Sequence, residues 1–151
     1  MLFRSVSGDT SAGGLRRADW SLEGDVSVLI VALGGNDGLR GLPPAELKKN
    51  LKAIVDKAKA RGIKVILAGM EAPPNNGADY TREFRAVYPE LAREEHVTLI
   101  PFLLQGVAGD PTAGPIYQGP CCPRTGTHDD CPHPRAHRVY DRFFDWFYTA
   151  R

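Results

Sequence analysis

The chain has 151 residues, of which 42% are hydrophobic and 25% are charged, and its formal net charge is +1. These values predict one domain over residues 1–151, without the basic surface that nucleic-acid binding needs. No apolar run approaches the ~20 residues of a membrane-spanning helix, so we expect no membrane contact. Residues 1–5 hold no apolar signal-peptide core and the three cysteines make no disulfide framework, so a cytoplasmic location is the default expectation.

Strands and helices are predicted to alternate from residue 26 onward. The segment Val26 to Leu33, apolar from Val28 onward, is typical of a buried strand, and Pro43-Pro44 begins a helix that stops at Gly62. The apolar residues of this helix share one face, namely Leu47, Leu51, Ile54, Val55 and Ala58. A second buried strand is predicted over Ile63 to Ala68.

A second helix is predicted after the polar loop Pro73 to Gly77, and a third strand over Val97 to Phe102. The apolar residues of this second helix also share one side, namely Phe84, Val87, Tyr88 and Leu91. Pro89 supplies no N–H, so we expect it to kink or divide this helix. The order strand, helix, strand, helix, strand predicts right-handed crossovers and a parallel α/β sheet.

Two different segments are expected after Phe102. Residues 106–134 are rich in Gly, Pro, Thr and Cys without an apolar period, which predicts a long irregular loop. A last helix is predicted from about Arg135 to Tyr148, with aromatic residues on more than one stripe. Such a helix is usually buried on two sides, either within the core or at a subunit interface.

The glycine-rich loop Gly34 to Gly41 follows the first predicted strand and is the place where we expect chemistry. Ligands of parallel sheets bind beyond the carboxyl ends of the strands. A carboxamide between glycines, here Asn36, can aim its N–H donors at a fixed point, as an oxyanion hole requires. Alternatively, Asn36 and Asp37 make only the local backbone hydrogen bonds of a strand-to-helix turn.

Three segments carry a family resemblance: residues 7–11 (Ser-Gly-Asp-Thr-Ser), residues 33–41 (Leu-Gly-Gly-Asn-Asp-Gly-Leu-Arg-Gly) and residues 130–134 (Asp-Cys-Pro-His-Pro). They resemble three of the four sequence blocks of the GDSL-type, or SGNH, hydrolases, especially the small arylesterase and thioesterase I group. The resemblance implies a flavodoxin-like three-layer α/β/α sandwich with a mostly parallel sheet. It also implies hydrolysis of a small-molecule acyl ester or thioester without a cofactor.

Roles follow from the same resemblance. The side-chain amide of Asn36 and the backbone N–H of Gly8 would donate to the oxyanion. His133 would be the general base and Asp130 would orient it, as their spacing of three residues allows; a structural role for His133 stays open. Gly35, Leu39 and Arg40 are expected to contact the substrate.

The serine nucleophile of the family lies in a Gly-Asp-Ser-Leu block, and no such segment precedes Val6. Residues 8–13 resemble it superficially, with Thr10 in place of the serine. Their short spacing to the strand before Asn36 instead identifies them as the second block, so Ser7, Thr10 and Ser11 are expected to be turn or cap residues. We therefore expect an N-terminally truncated, impaired hydrolase, or alternatively a non-catalytic relic or oligomeric scaffold.

The absence of that block also predicts association. By resemblance, the lost strand lies between the strand ending near Gly8 and the strand Val26 to Leu33. Its loss would leave a gap or an exposed edge, which another chain tends to cover. Together with the apolar last helix, this predicts a homo-oligomer.

A zinc site is the alternative explanation of the cysteines and histidines in residues 121–137. Six possible ligands lie close together in the sequence, namely Cys121, Cys122, His128, Cys131, His133 and His137. They lack the paired C-x₂-C spacing of structural zinc sites. We therefore expect no bound metal and cysteines that are exposed or packed.

Overall fold

The structure is a computed structural model that describes residues 2–3, 6, 8–104 and 146–150, the first and last of these ranges as backbone. In chain order the strands are β1 (Leu2–Phe3), β2 (Val28–Ala32), β3 (Lys64–Ala68), β4 (Thr98–Ile100) and β5 (Trp146–Ala150). The α-helices are α1 (Ser11–Arg16), α2 (Ala18–Ser21), α3 (Gly35–Leu39), α4 (Pro44–Ala60) and α5 (Ala78–Glu94). A short 3₁₀ helix covers Pro74–Asn76.

The strands form one sheet in the order β1-β5-β2-β3-β4. β2 pairs in parallel with β3, and β3 in parallel with β4, whereas β5 is antiparallel to both β1 and β2. The sheet is therefore mostly parallel with helical crossovers, and the predicted α/β fold class is confirmed. Among the residues described, no helix is both long enough and apolar enough to span a bilayer.

Periodicity predicted the two long helices correctly. All five predicted apolar residues of α4 are buried, as are the four of α5. These faces pack on each other and on the sheet, whose core side chains Leu29, Val31 and Leu67 are fully buried. Pro89 lies inside α5 without dividing it.

The predicted last helix is wrong where the structure describes it, because residues 146–150 form strand β5. The sequence Trp-Phe-Tyr-Thr has aromatic and β-branched residues, which favour strands, and apolar side chains on both faces are also what an interior strand requires. Residues 105–145, with the predicted irregular loop 106–134, lie outside the part described.

β5 also corrects the expected gap. The place predicted to lack a strand, between the first strand and β2, is filled by β5, which pairs with β2 from Val28 to Ala32 and with β1 at Leu2 and Phe3. The sheet is therefore continuous across that place. A missing inner strand no longer argues for association.

Candidate active site

The candidate site begins where β2 ends, at a residue that only glycine suits. Gly34 has φ +116° and precedes the first residue of α3. A Cβ on Gly34 would lie 2.1 Å from the Tyr88 hydroxyl oxygen, which donates a 2.9 Å hydrogen bond to the carbonyl of Leu33. Tyr88, on the buried face of α5, thus supports the last peptide of the strand. The glycine-rich loop predicted from the sequence is a short helix, α3, that leaves the sheet at this point.

Asn36 lies in α3 and reaches the turn that precedes α1. Its Nδ2 donates a 3.0 Å hydrogen bond to the carbonyl oxygen of Asp9. Gly8, the preceding residue, is exposed and has φ +74°. The structure therefore brings together the two segments whose amide and backbone N–H were predicted to face an oxyanion.

A second contact joins α3 to the same turn. Arg40, which caps the C-terminal end of α3, donates a 3.0 Å hydrogen bond from Nη2 to the carbonyl oxygen of Gly8. Leu39 beside it is 42% exposed, and Gly35 at the start of α3 is buried. Of the three residues predicted to contact substrate, Leu39 presents apolar surface and Arg40 holds Gly8.

Asp9 stabilises the turn from within. Its carboxylate accepts hydrogen bonds from the backbone N–H of Thr10 at 3.1 Å and from Arg17 Nε at 2.6 Å. The carboxylate lies directly over Gly13, where a Cβ would come within 1.5 Å of Asp9 Oδ1. Thr10 is the N-cap of α1 and accepts from the Gly13 N–H, so its predicted capping role is confirmed.

A buried polar network that the sequence did not reveal joins α3, α1 and α4. Asp37 is 2% exposed, and its two carboxylate oxygens accept from the Ser11 backbone N–H at 2.8 Å and the Ser11 hydroxyl at 2.6 Å. Asn50 of α4 donates from Nδ2 to the same hydroxyl oxygen at 3.0 Å. The Ser11 side chain is fully buried. The one sequence signal was Asn50 itself, a polar residue at the edge of an apolar helix face.

The far end of α3 is anchored by a separate set of contacts. Asn76 donates to the carbonyl oxygen of Gly38 at 2.8 Å, and the Tyr80 hydroxyl donates to that of Leu42 at 2.8 Å. Burial raises the pKa of Tyr80 and the negative charge of Asp37 raises it further. Tyr80 is therefore a neutral hydrogen-bond donor.

Tyr88 is held neutral in the same way. Burial raises its pKa well above the ordinary value, and the charge of Asp37 adds to the effect. The hydroxyl proton that bonds the Leu33 carbonyl is thus retained throughout the ordinary pH range.

The other predicted site residues lie outside the part of the chain described. These are Asp130 and His133, Ser7, and the three cysteines with His128 and His137. Among residues whose side chains are described, no group of three His, Cys, Asp or Glu side chains could hold a metal ion. The base, its orienting carboxylate and the zinc alternative all remain predictions.

The chain is an α/β protein with a mostly parallel sheet, and Asn36 lies just beyond the carboxyl end of the inner strand β2, at the edge where ligands of such sheets generally bind. The chain belongs to the GDSL-like Lipase/Acylhydrolase family, whose sequence pattern matches residues 1–137. This confirms the family that three short segments of the sequence indicated.

Curated relatives agree with this assignment. The chain is 49% identical over 106 residues to the esterase TesA of Pseudomonas aeruginosa, covering 70% of this chain and 53% of that protein. It is 40% identical over 104 residues to thioesterase 1/protease 1/lysophospholipase L1 of Escherichia coli, covering 68% and 50%. The chain thus spans about half the length of the curated relatives it matches.

Solved structures agree as well. AlinE4, an SGNH-hydrolase family esterase, matches with a TM-score of 0.71 and 41% identity, over 89% of this chain and 71% of that one. The structure of TesA matches with a TM-score of 0.63 and 41% identity, over 88% and 69%. The fold is therefore shared with SGNH esterases.

Proposed function

We propose that this chain carries the oxyanion-binding part of a hydrolase that cleaves small carboxylic esters or acyl thioesters. The observation that carries the proposal is the hydrogen bond from Asn36 to the Gly8–Asp9 turn. It puts a side-chain amide beside an exposed backbone segment at the carboxyl end of a parallel strand. Family membership and the esterase names of the relatives support the same reaction class.

In the proposed reaction the oxyanion of a tetrahedral intermediate accepts hydrogen bonds from the Asn36 amide and the Gly8 N–H. One such donor is worth on the order of 3 kcal/mol in acyl transfer. Leu39 offers exposed apolar surface for the acyl group, and Gly35 and Arg40 belong to the same wall of the site. The Arg40 bond to the Gly8 carbonyl fixes the orientation of the Gly8–Asp9 peptide, which directly follows the peptide that carries the Gly8 N–H.

The proton-transfer part of the proposal rests on residues 130–133. Asp130 would orient His133, and His133 would act as general base and acid. The sequence contains no Gly-Asp-Ser-Leu segment, and Ser11 is buried with its hydroxyl bonded to Asp37. We therefore propose that turnover by the chain as given is weak, because oxyanion stabilisation and binding alone leave ~10³-fold catalysis over water.

The experiment measures hydrolysis of p-nitrophenyl butyrate and binding of its product, butyrate, by the purified chain. Butyrate should shift the NMR signals of the Asn36 side-chain amide and the Gly8 N–H. Asn36→Ala should abolish that response at Gly8 and lower any turnover by about two orders of magnitude. The matched control is Asn75→Ala, since Asn75 is an exposed asparagine of the 3₁₀ helix.

Two outcomes would contradict the proposal. Equal turnover and equal butyrate response in Asn36→Ala and the parent would remove Asn36 from the site. Turnover typical of full esterases, with a serine labelled by a fluorophosphonate, would show that a nucleophile is present, and the labelled peptide would identify it.

A second candidate is a non-catalytic scaffold that associates with another copy of itself. It is favoured by the strand order, since β1 and β4 are the outer strands among those described, and outer strands can pair with another chain through their backbone groups. Light scattering at micromolar concentration should then report a dimer. A stable monomer that responds to butyrate would exclude the scaffold and favour the hydrolase.

A further inference from the structure

We propose that Asp37 and Ser11 are positioning residues, whose buried hydrogen-bonded pair sets the distance between the two oxyanion-donor segments. The role of the two segments as oxyanion donors rests on the proposed function, whereas the hydrogen bonds that join them do not depend on it. Asp37 directly follows Asn36, and Ser11 lies three residues after Gly8. The pair therefore joins the two donor segments through buried hydrogen bonds.

The pair is stronger than an ordinary turn contact. Both carboxylate oxygens of Asp37 are engaged, at 2.8 Å by the Ser11 N–H and at 2.6 Å by its hydroxyl. Hydrogen bonds to an ionised acceptor are roughly twice as strong as neutral ones, and burial of both side chains makes their loss costly. By contrast, the Asn36 and Arg40 bonds to the same turn are part-buried and exposed.

Asn50 fixes the direction of the pair. Its Nδ2 donates to the Ser11 hydroxyl oxygen at 3.0 Å. With that lone pair occupied by a donor, the hydroxyl proton is directed to Asp37 Oδ1. Asn50 belongs to α4, a 17-residue helix packed on the sheet. The network therefore anchors both Ser11 and Asp37 of α3 to a long, packed helix.

This arrangement argues against a nucleophilic role for Ser11. Its hydroxyl is fully buried, and its proton is committed to a carboxylate that is itself 2% exposed. A nucleophile must reach the substrate carbonyl, whereas this oxygen is hydrogen-bonded to Asp37 of α3 and Asn50 of α4. Ser11 therefore acts through Gly8 and Asn36, without touching substrate.

The test compares the ¹⁵N-labelled full chain with its Asp37→Asn variant, well below the unfolding temperature of both. The amide keeps the side-chain shape but replaces one acceptor oxygen by a donor and removes the charge, so one of the two Ser11 protons loses its acceptor and the other is left with a weaker, neutral acceptor. Hydrogen exchange at the Ser11 N–H should accelerate about tenfold or more. The signals of the Gly8 N–H and the Asn36 side-chain amide should shift in the same spectrum. Asp56→Asn, at an exposed carboxylate of α4, is the matched control and should move none of these signals.

A merely structural role would lower the melting temperature and leave the Gly8 and Asn36 signals in place, and that result would overturn the proposal. If Asp37→Asn does not fold, Asn50→Ala loosens the far end of the network and should shift the same two signals. Unmoved signals in that folded variant would equally overturn the proposal. These readouts need no turnover, so a failed butyrate response in the parent would reject the proposed function without deciding the positioning role.

Discussion

Replacing Gly34 by alanine tests how the end of β2 is built. Two costs are expected. An alanine at φ +116° occupies backbone space that L-residues rarely adopt, which costs about 1–3 kcal/mol. Its Cβ would also lie 2.1 Å from the Tyr88 hydroxyl oxygen and 3.1 Å from Leu47 Cδ1, and overpacking of this kind costs a further ~1–3 kcal/mol. Gly34→Ala should therefore destabilise the protein by about 2–6 kcal/mol.

A double-mutant cycle separates the two costs. Tyr88→Phe removes the hydroxyl and its bond to the Leu33 carbonyl, at a cost of about 1 kcal/mol. In that background Gly34→Ala meets no hydroxyl oxygen, so only the backbone strain and the Leu47 contact remain. The coupling between the two changes should exceed about 1 kcal/mol. The backbone control is Gly62→Ala, because Gly62 has φ +72° with no atom within 4 Å of an added Cβ.

The free energies of unfolding come from urea denaturation followed by far-UV circular dichroism. Gly62→Ala should cost about 1–2 kcal/mol, the backbone part alone. Two results would refute the reasoning: a Gly34→Ala variant no less stable than Gly62→Ala, or a cycle additive within about 0.5 kcal/mol. The first result would show that the Tyr88 side chain moves aside without measurable cost. The second would show that its hydroxyl does not clash with the added Cβ.

Two further substitutions have defined outcomes. Gly13→Ala should destabilise by about 1–3 kcal/mol, because the new Cβ displaces the Asp9 carboxylate; in an Asp9→Ala background the same change should be stabilising, since alanine favours helix over glycine, and persistent destabilisation there would contradict the steric argument. Glu95→Gln should lower the melting temperature at neutral pH by a few degrees at most, because hydrogen bonds from Lys52 and Lys59 lower the pKa of Glu95 from 4.5 to about 2. This stabilisation is complete at pH values above the pKa of Glu95 in the unfolded chain, and it is lost as the pH falls toward 2. In calorimetry the melting temperatures of the two proteins should therefore become equal in acid. A difference in melting temperature that persists there would refute the assignment.

Local pattern was enough to predict the parallel half of the fold. β2 is apolar throughout and β3 is apolar from Val65 to Ala68, and the apolar face of α4 repeats with a helical period. Such signals are contained in a few consecutive residues. The prediction for the last segment was wrong because local pattern was not enough there. Aromatic residues on every side suit both a buried helix and an interior strand. Pairing with β2, which decides between them, is a contact between distant segments.

The candidate site divides in a similar way. Asn36 and Gly8 were identified by resemblance, and the structure places their segments in contact. The Asp37–Ser11–Asn50 network was not foreseen, because its members are ordinary turn, cap and helix-edge residues when each is considered alone. The special need for glycine at position 34 also depends on Tyr88, which a single sequence does not link to it.

The position of β5 has a consequence for the order in which the protein folds. β2, β3 and β4 pair across crossovers close together in the sequence, whereas β5 joins Ala150 to Val28 and Thr149 to Leu2. Contacts of such long sequence separation form late, because a large loop must close before they give any stability. We therefore expect the parallel half with its helices to form the early cooperative unit, and the β1–β5 ribbon to open first in native-state hydrogen exchange.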